Sequence, residues 1–137
     1  MNKKYQVLRC GRLYDGVTQE WKSSQSILVE DHLIVEVGSN VSVPEGANVI
    51  DLTDCQVTPG MIDAHMHMDY FDWHTVREEV YTQSEEAKTL AIARCAEKAL
   101  RRGFTTVRHV GGITSNGYGV LDVKRAIEKG YFPGSRI

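Results

Sequence analysis

The chain has 137 residues, of which 42% are hydrophobic and 25% charged, and its formal net charge is -2 at pH 7. A globular protein of this length can bury a core, and its near-neutral charge gives no reason to expect nucleic acid or an anionic membrane as a partner. The N-terminus, MNKKYQVLRC, lacks the apolar run of a signal peptide, and no stretch approaches the roughly 20 apolar residues of a membrane helix.

The cysteines also indicate the compartment. Cys10, Cys55 and Cys95 are widely spaced, and no two of them form a CxxC pair. An odd number of distant cysteines does not suggest a disulfide framework. We therefore predict three buried, reduced thiols in a cytoplasmic protein.

The first 57 residues predict strands and turns. YQVLRC and RLYDG are two short β-prone pieces, and the second ends in an Asp-Gly turn signal. ANVIDLTDCQVTPG predicts a further strand that runs into Pro-Gly. We expect this part of the chain to form antiparallel β structure.

SILVEDHLIVEVG predicts a hairpin within this β part. Its strands are expected over Ile27–Glu30 and Leu33–Val37, joined by a tight turn near Asp31 and His32. Because that turn has no glycine, we predict that one of its residues lies at positive φ, at a cost of about 1 kcal/mol.

After Gly60 the pattern changes to strand and helix. MIDAHMHM predicts a short strand buried on both faces. A helix is expected from Ser84, its N-cap, to Arg102, with Gly103 after it. Its apolar stripe comprises Ala91, Ile92, Cys95, Ala96, Ala99 and Leu100.

The alternation then repeats. FTTVRHV predicts a second strand, a second helix is expected over residues 120–129, and YFPGSRI leads toward a third strand. This order implies parallel strands joined by crossover helices. We predict an all-β part over residues 1–57 and an α/β part over residues 58–137.

Two parallel strands and two helices cannot cover both faces of a sheet or protect its edges. We therefore interpret the α/β part as the opening of a larger, truncated fold. Uncovered apolar helix residues are expected to drive association into a homo-oligomer. Among them we count Ile92, Leu100 and Ile127.

The strand MIDAHMHM carries two histidines one residue apart. Because side chains at i and i+2 of a strand point to one face, His65 and His67 should aim at one point, with Met66 and Met68 on the other side. Imidazole nitrogens are common ligands of divalent metals. We predict that the two histidines are metal ligands.

An isolated HxH pair is common by chance, and two satisfied or exposed histidines are the alternative. The position near the carboxyl end of a strand in an α/β segment, where such folds keep their sites, favours the metal. Asp63 and Asp69 share the parity of the histidines and are expected to orient an imidazole or contact a substrate.

The other histidines lie in different contexts. His109 follows Arg108 near the end of the second strand, and we predict a hydrogen-bonding residue of the pocket, with an extra metal ligand as the alternative. His32 and His74 are interpreted as surface or linker residues. The loop ITSNGYG fits no phosphate-binding spacing and is expected to be a mobile loop at the mouth of the site.

These motifs together resemble the amidohydrolase superfamily. VTPGMIDAHMHMD resembles its first barrel strand, which reads Pro-Gly-x-Ile-Asp-x-His-x-His. GRLYDG and ILVEDHLIVEVG are similar to its small N-terminal β domain, and GFTTVRHVGG and AIEKGYFPGSRI to its second strand and the following passage. The likeness covers essentially the whole chain and is greatest for the prolidase-like and imidazolonepropionase-like branch.

The resemblance implies a small β-sandwich followed by a (β/α)₈ barrel with one or two divalent metal ions, usually zinc, that activate a water. His65 and His67 match the two ligands of the first strand. The family's other ligands, a lysine that is often carbamylated, two histidines and an aspartate, lie on later strands. The catalytic acid/base is accordingly expected beyond residue 137, and this chain alone is expected to be inactive.

The implied activity is hydrolysis of a C–N bond in a small molecule, with a dipeptide or N-acylated amino acid as the first expectation. A deaminase or cyclic-amide hydrolase of the same superfamily is the second. A dihydroorotase or hydantoinase is less expected, because those enzymes typically have arginine where this chain has Asp69. The prolidase-like members also usually have aspartate at the position of His109, and the difference is either a simple variation or one that alters the pocket and the substrate. A non-catalytic, truncated remnant is the third possibility.

Overall fold

A computed structural model describes residues 4–69, 82–112 and 118–137. The chain is a mixed α/β protein with a largely β N-terminal part, as the sequence predicts. It divides into two compact units, the first ending at Pro59 and the second beginning at Gly60. The interpretations of His74 and of the loop ITSNGYG fall wholly or mainly outside the described residues.

Four strands build the first unit. They are β1 (Tyr5–Tyr14), β2 (Trp21–Glu30), β3 (Leu33–Gly38) and β4 (Asn48–Val57), in the sheet order β3-β2-β1-β4. A sandwich requires two sheets, and described residues 4–59 form this single one. The sandwich therefore stays a prediction.

The β2–β3 hairpin confirms the turn prediction. Asp31 has φ 55°. Its backbone N–H donates to the carbonyl of Lys4 at 2.8 Å, and its Oδ1 accepts from the backbone N–H of Lys4 at 3.0 Å. The carboxylate thus ties the turn to the residue before β1. His32 is exposed, as predicted.

Two predictions for this unit are wrong. The pieces YQVLRC and RLYDG form one ten-residue strand, β1. The pairing of β1 with β4 is parallel, although both pairings of β2 are antiparallel. The register of β1 with β4 shifts between Cys10 and Arg12. There the carbonyl of Thr53 comes so close that a Cβ added to Gly11 would lie 2.0 Å from its oxygen.

The cysteine prediction is also corrected. All three cysteines are free thiols, but only Cys10 is buried, whereas Cys95 is half-buried and Cys55 is exposed. Burial raises the pKa of Cys10. Cys55 lies on β4, whose side chains are mostly exposed or half-buried, so a β-rich context alone does not bury a thiol.

The second unit alternates strands and helices in the predicted order. Its elements are β5 (Met61–Met66), α1 (Glu85–Arg101), β6 (Phe104–His109) and α2 (Tyr118–Glu128). β5 and β6 pair in parallel. A further parallel bridge joins Thr106 to Arg136, so the chain after α2 returns beside β6 as the sequence predicts.

The ends of α1 confirm the capping signals. The side chain of Ser84 accepts from the backbone N–H of Ala87 at 3.2 Å, and Arg102 is the C-cap. Gly103 follows with φ 93°, a conformation that favours glycine. The helix α2 begins at Tyr118, two residues before the predicted start.

The core of the second unit lies between its strands and helices. Its buried residues are Met68, Ile92, Ala96, Ala99, Val107, Val120 and Val123. Ile92 is 0% exposed, so the expectation that it is uncovered is wrong, and Ile127 packs partly against the same cluster. The prediction that β5 is buried on both faces is also wrong, because Met61 and Ile62 are 45% and 69% exposed.

Among the described residues, no helix combines the length and apolarity needed to cross a membrane.

Candidate metal centre

His65 and His67 lie together at the carboxyl end of β5. His65 is in the strand, and His67 follows its last residue, Met66. Their ring centroids are 5.4 Å apart, with the ring planes at 66°. Both histidines are exposed, whereas Met66 packs against the core and Met68 is fully buried within it. The alternation predicted for residues 65–68 is therefore present, with the imidazoles on the open side.

A hydrogen bond to a backbone carbonyl of the same unit orients the ring of His67. Its Nδ1 lies 2.7 Å from the carbonyl oxygen of Gly111. A carbonyl can only accept, so Nδ1 carries the hydrogen and, in the neutral ring, Nε2 carries the lone pair. Histidine ligands of metals usually donate their second ring nitrogen in this way. The ring is thus in the tautomer that a metal requires at Nε2.

Asp63 acts on the backbone of this segment. Its Oδ1 accepts from the backbone N–H of His65 at 2.9 Å. In the sheet, Asp63 pairs with Val107 and Met66 with His109, so β5 has one residue more than β6 between these two pairs. The strand irregularity interrupts the alternation on which the shared parity of Asp63 and the histidines was based. Asp63 contacts the backbone beside the site instead of an imidazole.

Asp69 is buried beside the pair, with 4% of its surface exposed. Its carboxylate lies against Gly112, where an added Cβ would be 1.7 Å from Oδ2. Only a glycine leaves room for the carboxylate at that distance. Sequence reasoning missed this role of Gly112. The pair of glycines directly after a predicted strand was the available signal, because such glycines often mark close approach.

The charge of Asp69 also reaches Cys95. Burial raises the pKa of Cys95; the positive charge of Lys98 lowers it, and the negative charge of Asp69 raises it further. Cys95 packs partly against the core cluster of the second unit, and among the described residues it joins no group of three His, Cys, Asp or Glu side chains that could hold a metal.

His109 and Arg108 lie at the end of β6. His109 is half-buried, and its Nδ1 accepts from the backbone N–H of Met68 at 3.4 Å. Arg108 is exposed. Both line a cavity of about 600 Å³, together with Ile62, Ala64, Thr106, Val107, Val120, Leu121, Lys124 and Ile137. His65 and His67 are not among the described residues of its lining, so this cavity and the histidine pair are neighbouring, separate features.

The donor set fits part of a metal site. Two exposed imidazoles at one strand end, one of them held in the required tautomer, are suitable donors for a borderline divalent ion. Within the part of the chain that the structure describes, no three His, Cys, Asp or Glu side chains converge to hold a metal. The described residues thus supply two candidate ligands, fewer than the three or four protein ligands of a typical zinc site.

The chain belongs to the amidohydrolase family, because residues 56–137 match the model of that family. It is 30% identical to a dihydroorotase of Clostridium acetobutylicum over 101 residues, which are 74% of this chain and 20% of that protein.

Solved structures show the same relationship. An Xaa-Pro dipeptidase with methionine bound in its active site superposes with a TM-score of 0.83 at 27% identity, covering 98% of this chain and 32% of the dipeptidase. An amidohydrolase superposes with a TM-score of 0.78 at 33% identity, covering 97% of this chain and 30% of its own. The chain therefore spans between a fifth and a third of the length of these relatives.

Proposed function

We propose that this chain supplies the first metal ligands of a metal-dependent hydrolase that cleaves C–N bonds in small molecules. The single observation that supports the proposal most directly is the bond from Nδ1 of His67 to Gly111, which orients this imidazole beside that of His65. Membership of the amidohydrolase family and the similarity to a dihydroorotase and a dipeptidase support the type of bond.

His65 and His67 would hold the ion, each through a ring nitrogen. A divalent metal, which we propose to be zinc, would lower the pKa of a water and polarise a carbonyl group. The chain's own part is to fix the ligands. Asp63 holds the backbone at His65, and Gly111 holds the ring of His67.

We further propose that residues 58–137 form the first two β/α units of a (β/α)₈ barrel. The parallel pairing of β5 with β6 and the bridge from Thr106 to Arg136 support this, because successive neighbours in chain order are what a barrel sheet requires. The histidines stand at the carboxyl end of β5, where barrels of this type carry their sites. Whether one or two metal ions bind depends on ligands from other strands.

The first candidate for the substrate is a dipeptide or N-acylated amino acid, supported by the similarity to an Xaa-Pro dipeptidase. The second is a cyclic amide, and the similarity to a dihydroorotase favours it more than the sequence argument from Asp69 suggests. Both are hydrolysed at a C–N bond. A protein of the relatives' length that contains this chain separates the two when it is assayed with a proline dipeptide and with a six-membered cyclic amide.

The metal proposal is tested by calorimetric titration of the 137-residue chain with zinc. We expect micromolar or weaker binding, about -8 kcal/mol at most, because two imidazoles are fewer than a complete ligand set. His65→Ala and His67→Ala should each abolish it, whereas His32→Ala, in the exposed turn, should leave it unchanged. Unaltered binding by both site variants would overturn the assignment. No hydrolysis by the 137-residue chain itself is expected.

Association and location belong to the same proposal. We propose a cytoplasmic homo-oligomer, and exposed apolar side chains of β3 and β5 support the association: Leu33 is 60%, Ile34 66% and Ile62 69% exposed. Sedimentation analysis checks it, because a monomer at high concentration would exclude self-association through these residues.

A further inference from the structure

Residues 109–112, which we call the exit segment, run beside the end of β5. The backbone N–H of Val110 donates to the carbonyl of Met66 at 3.2 Å, which continues the parallel pairing of the two strands. One step further along, the backbone N–H of Met68 donates to a side chain, Nδ1 of His109, at 3.4 Å. The imidazole therefore takes the place of a backbone acceptor just where the ladder ends.

The next contact reaches the proposed metal ligand itself. The carbonyl of Gly111 accepts from Nδ1 of His67 at 2.7 Å. Gly111 has φ 115°, a conformation that residues with a Cβ rarely adopt. Glycine at this position thus allows the backbone turn in which the carbonyl meets the ring. Together with the close approach of Gly112 to Asp69, the exit segment contacts each of residues 66–69 in turn.

The two imidazoles are held in opposite tautomers. His109 accepts at Nδ1, so this nitrogen is unprotonated and a neutral ring carries its hydrogen on Nε2. His67 donates at Nδ1 and presents the lone pair of Nε2. The hydrogen bond of His109 fixes the backbone at Met68, the residue next to His67. It thereby limits the directions that the ring of His67 can take.

We infer that His109 is a positioning residue for the metal site: by accepting the backbone N–H of Met68 it keeps His67 in register with Gly111 and in its metal-binding tautomer. The inference rests on the proposed function only in taking His67 as a ligand. The side chain of Met68 is fully buried, so the segment is anchored from both sides of the backbone, by the core and by His109. A residue that only filled space would not need an acceptor at Nδ1.

Two substitutions of similar size separate these roles. In His109→Asn the side-chain oxygen lies near the position of Nδ1 and can accept the same N–H, whereas His109→Leu fills the space without an acceptor. Two readouts are needed on the 137-residue chain: the ¹⁵N shifts of the His67 ring without metal, and the zinc affinity by calorimetry. His32→Asn, in the exposed turn, is the matched control and should change neither.

We expect the wild-type chain to show His67 with its hydrogen on Nδ1 and His109 with its hydrogen on Nε2. His109→Leu should move His67 toward a mixture of tautomers and weaken zinc binding about tenfold, the lower end of the effect for residues that orient a metal ligand. His109→Asn should retain the wild-type values of both. If the leucine variant does not fold, His109→Gln replaces it, because its longer amide places the oxygen beyond Nδ1, and a loss is again expected.

The outcomes separate the two proposals. Wild-type shifts and affinity in the leucine or glutamine variant would overturn the positioning role, and so would equal losses in the asparagine and leucine variants. A His67 tautomer that depends on His109 as described, in a chain whose zinc binding is unaltered by both His65→Ala and His67→Ala, would support the positioning role and overturn the proposed function. Dependence of both readouts on the acceptor supports both.

Discussion

The two units of this protein differ in the size of their buried apolar clusters. In the first, one buried cluster consists of Cys10, Leu13 and Ile27, on a sheet whose strand β3 is exposed along most of its length. In the second, buried side chains from the strand β6 and both helices join the fully buried Met68 in one larger cluster. Val7 and Leu28 are also buried in the first unit, but its cluster is smaller than that of the second, so we expect side-chain packing to contribute more to the stability of the second unit. The candidate metal site belongs to the unit with the larger core.

The largest expected effect comes from shortening one core side chain in each unit and comparing the losses of stability. Ile92→Ala removes a 0% exposed side chain from the cluster of the second unit, and Ile27→Ala removes one that is 8% exposed from the first. We expect losses of about 4 and about 2 kcal/mol in the free energy of unfolding, since the cost grows with the cavity left behind. Urea denaturation followed by circular dichroism measures both. Equal losses would contradict a difference in packing between the units.

The backbone of the first unit can be tested by adding one methyl group. Gly11→Ala would place a Cβ 2.0 Å from the carbonyl oxygen of Thr53, whereas Gly38→Ala, in the same sheet, would meet nothing closer than a side-chain carbon at 4.0 Å. We expect a loss of about 2 kcal/mol for the first and about 0.5 kcal/mol or less for the second. Thermal and urea unfolding compare them. If Gly11→Ala were as stable as wild type, the close approach of β4 would be refuted.

The helical unit should respond to the loss of a cap. Ser84→Ala removes the side-chain oxygen that accepts from Ala87, and we expect a loss of about 1 kcal/mol. Ser42→Ala is the control in the first unit, because Ser42 is an exposed loop residue whose hydroxyl donates to the exposed Glu36. Its effect should stay within a few tenths of a kcal/mol. Equal effects of the two changes would show that the cap does not stabilise α1.

The smallest expected effect is on the pH dependence of stability. The pKa of Asp15 is lowered, first by the side chain of Lys22 at 2.9 Å and then by backbone N–H groups of Thr18 and Val17. A carboxylate whose folded pKa lies below its unfolded value of about 3.9 stabilises the protein above that pH, and the contribution disappears as the pH falls toward the folded value. Asp15→Asn should therefore reduce stability at pH 7 more than at pH 3.

In the second unit, hydrogen bonds from Arg94 and then Arg101 lower the pKa of Glu97, so its contribution to stability also decreases as the pH falls. Glu97→Gln should also weaken the protein more at pH 7 than at pH 3, as measured by urea unfolding at both values. Because both carboxylates are on the surface, each difference should be small and should shrink in high salt. A loss that is larger at pH 3 would contradict the sign.

Local signals predicted the helices and the tight turn. The cap at Ser84, the glycine after α1 and the positive φ of Asp31 each depend on a few neighbouring residues, so the sequence contains them directly. The parallel pairing of β1 with β4 does not follow from either strand, since the same alternation fits both directions. The exposed Ile62 shows a related limit: an apolar residue in a strand does not reveal which face is covered.

At the candidate site, the residue types were predictable and their contacts were not. The HxH spacing placed His65 and His67 together on the open side, opposite the buried Met68. The partner of the His67 ring is 44 residues further along the chain, so it depends on the strand register. The irregularity between Asp63 and Met66 shows why, since one additional residue in β5 changes which side chains face together.

The central strand of the first unit also bears on the order of folding. β1 pairs on one side with β2, where Tyr14 meets Trp21 across a short turn, and on the other with β4, where Gln6 meets Asn48. Loop closure costs more entropy as the intervening chain lengthens. The β1-β2-β3 meander should therefore form first and present the open edge of β1 as a template. The strand β4 would pair last, and its backbone must fit closely against Gly11. This last pairing would complete the sheet and set the folding rate of the unit.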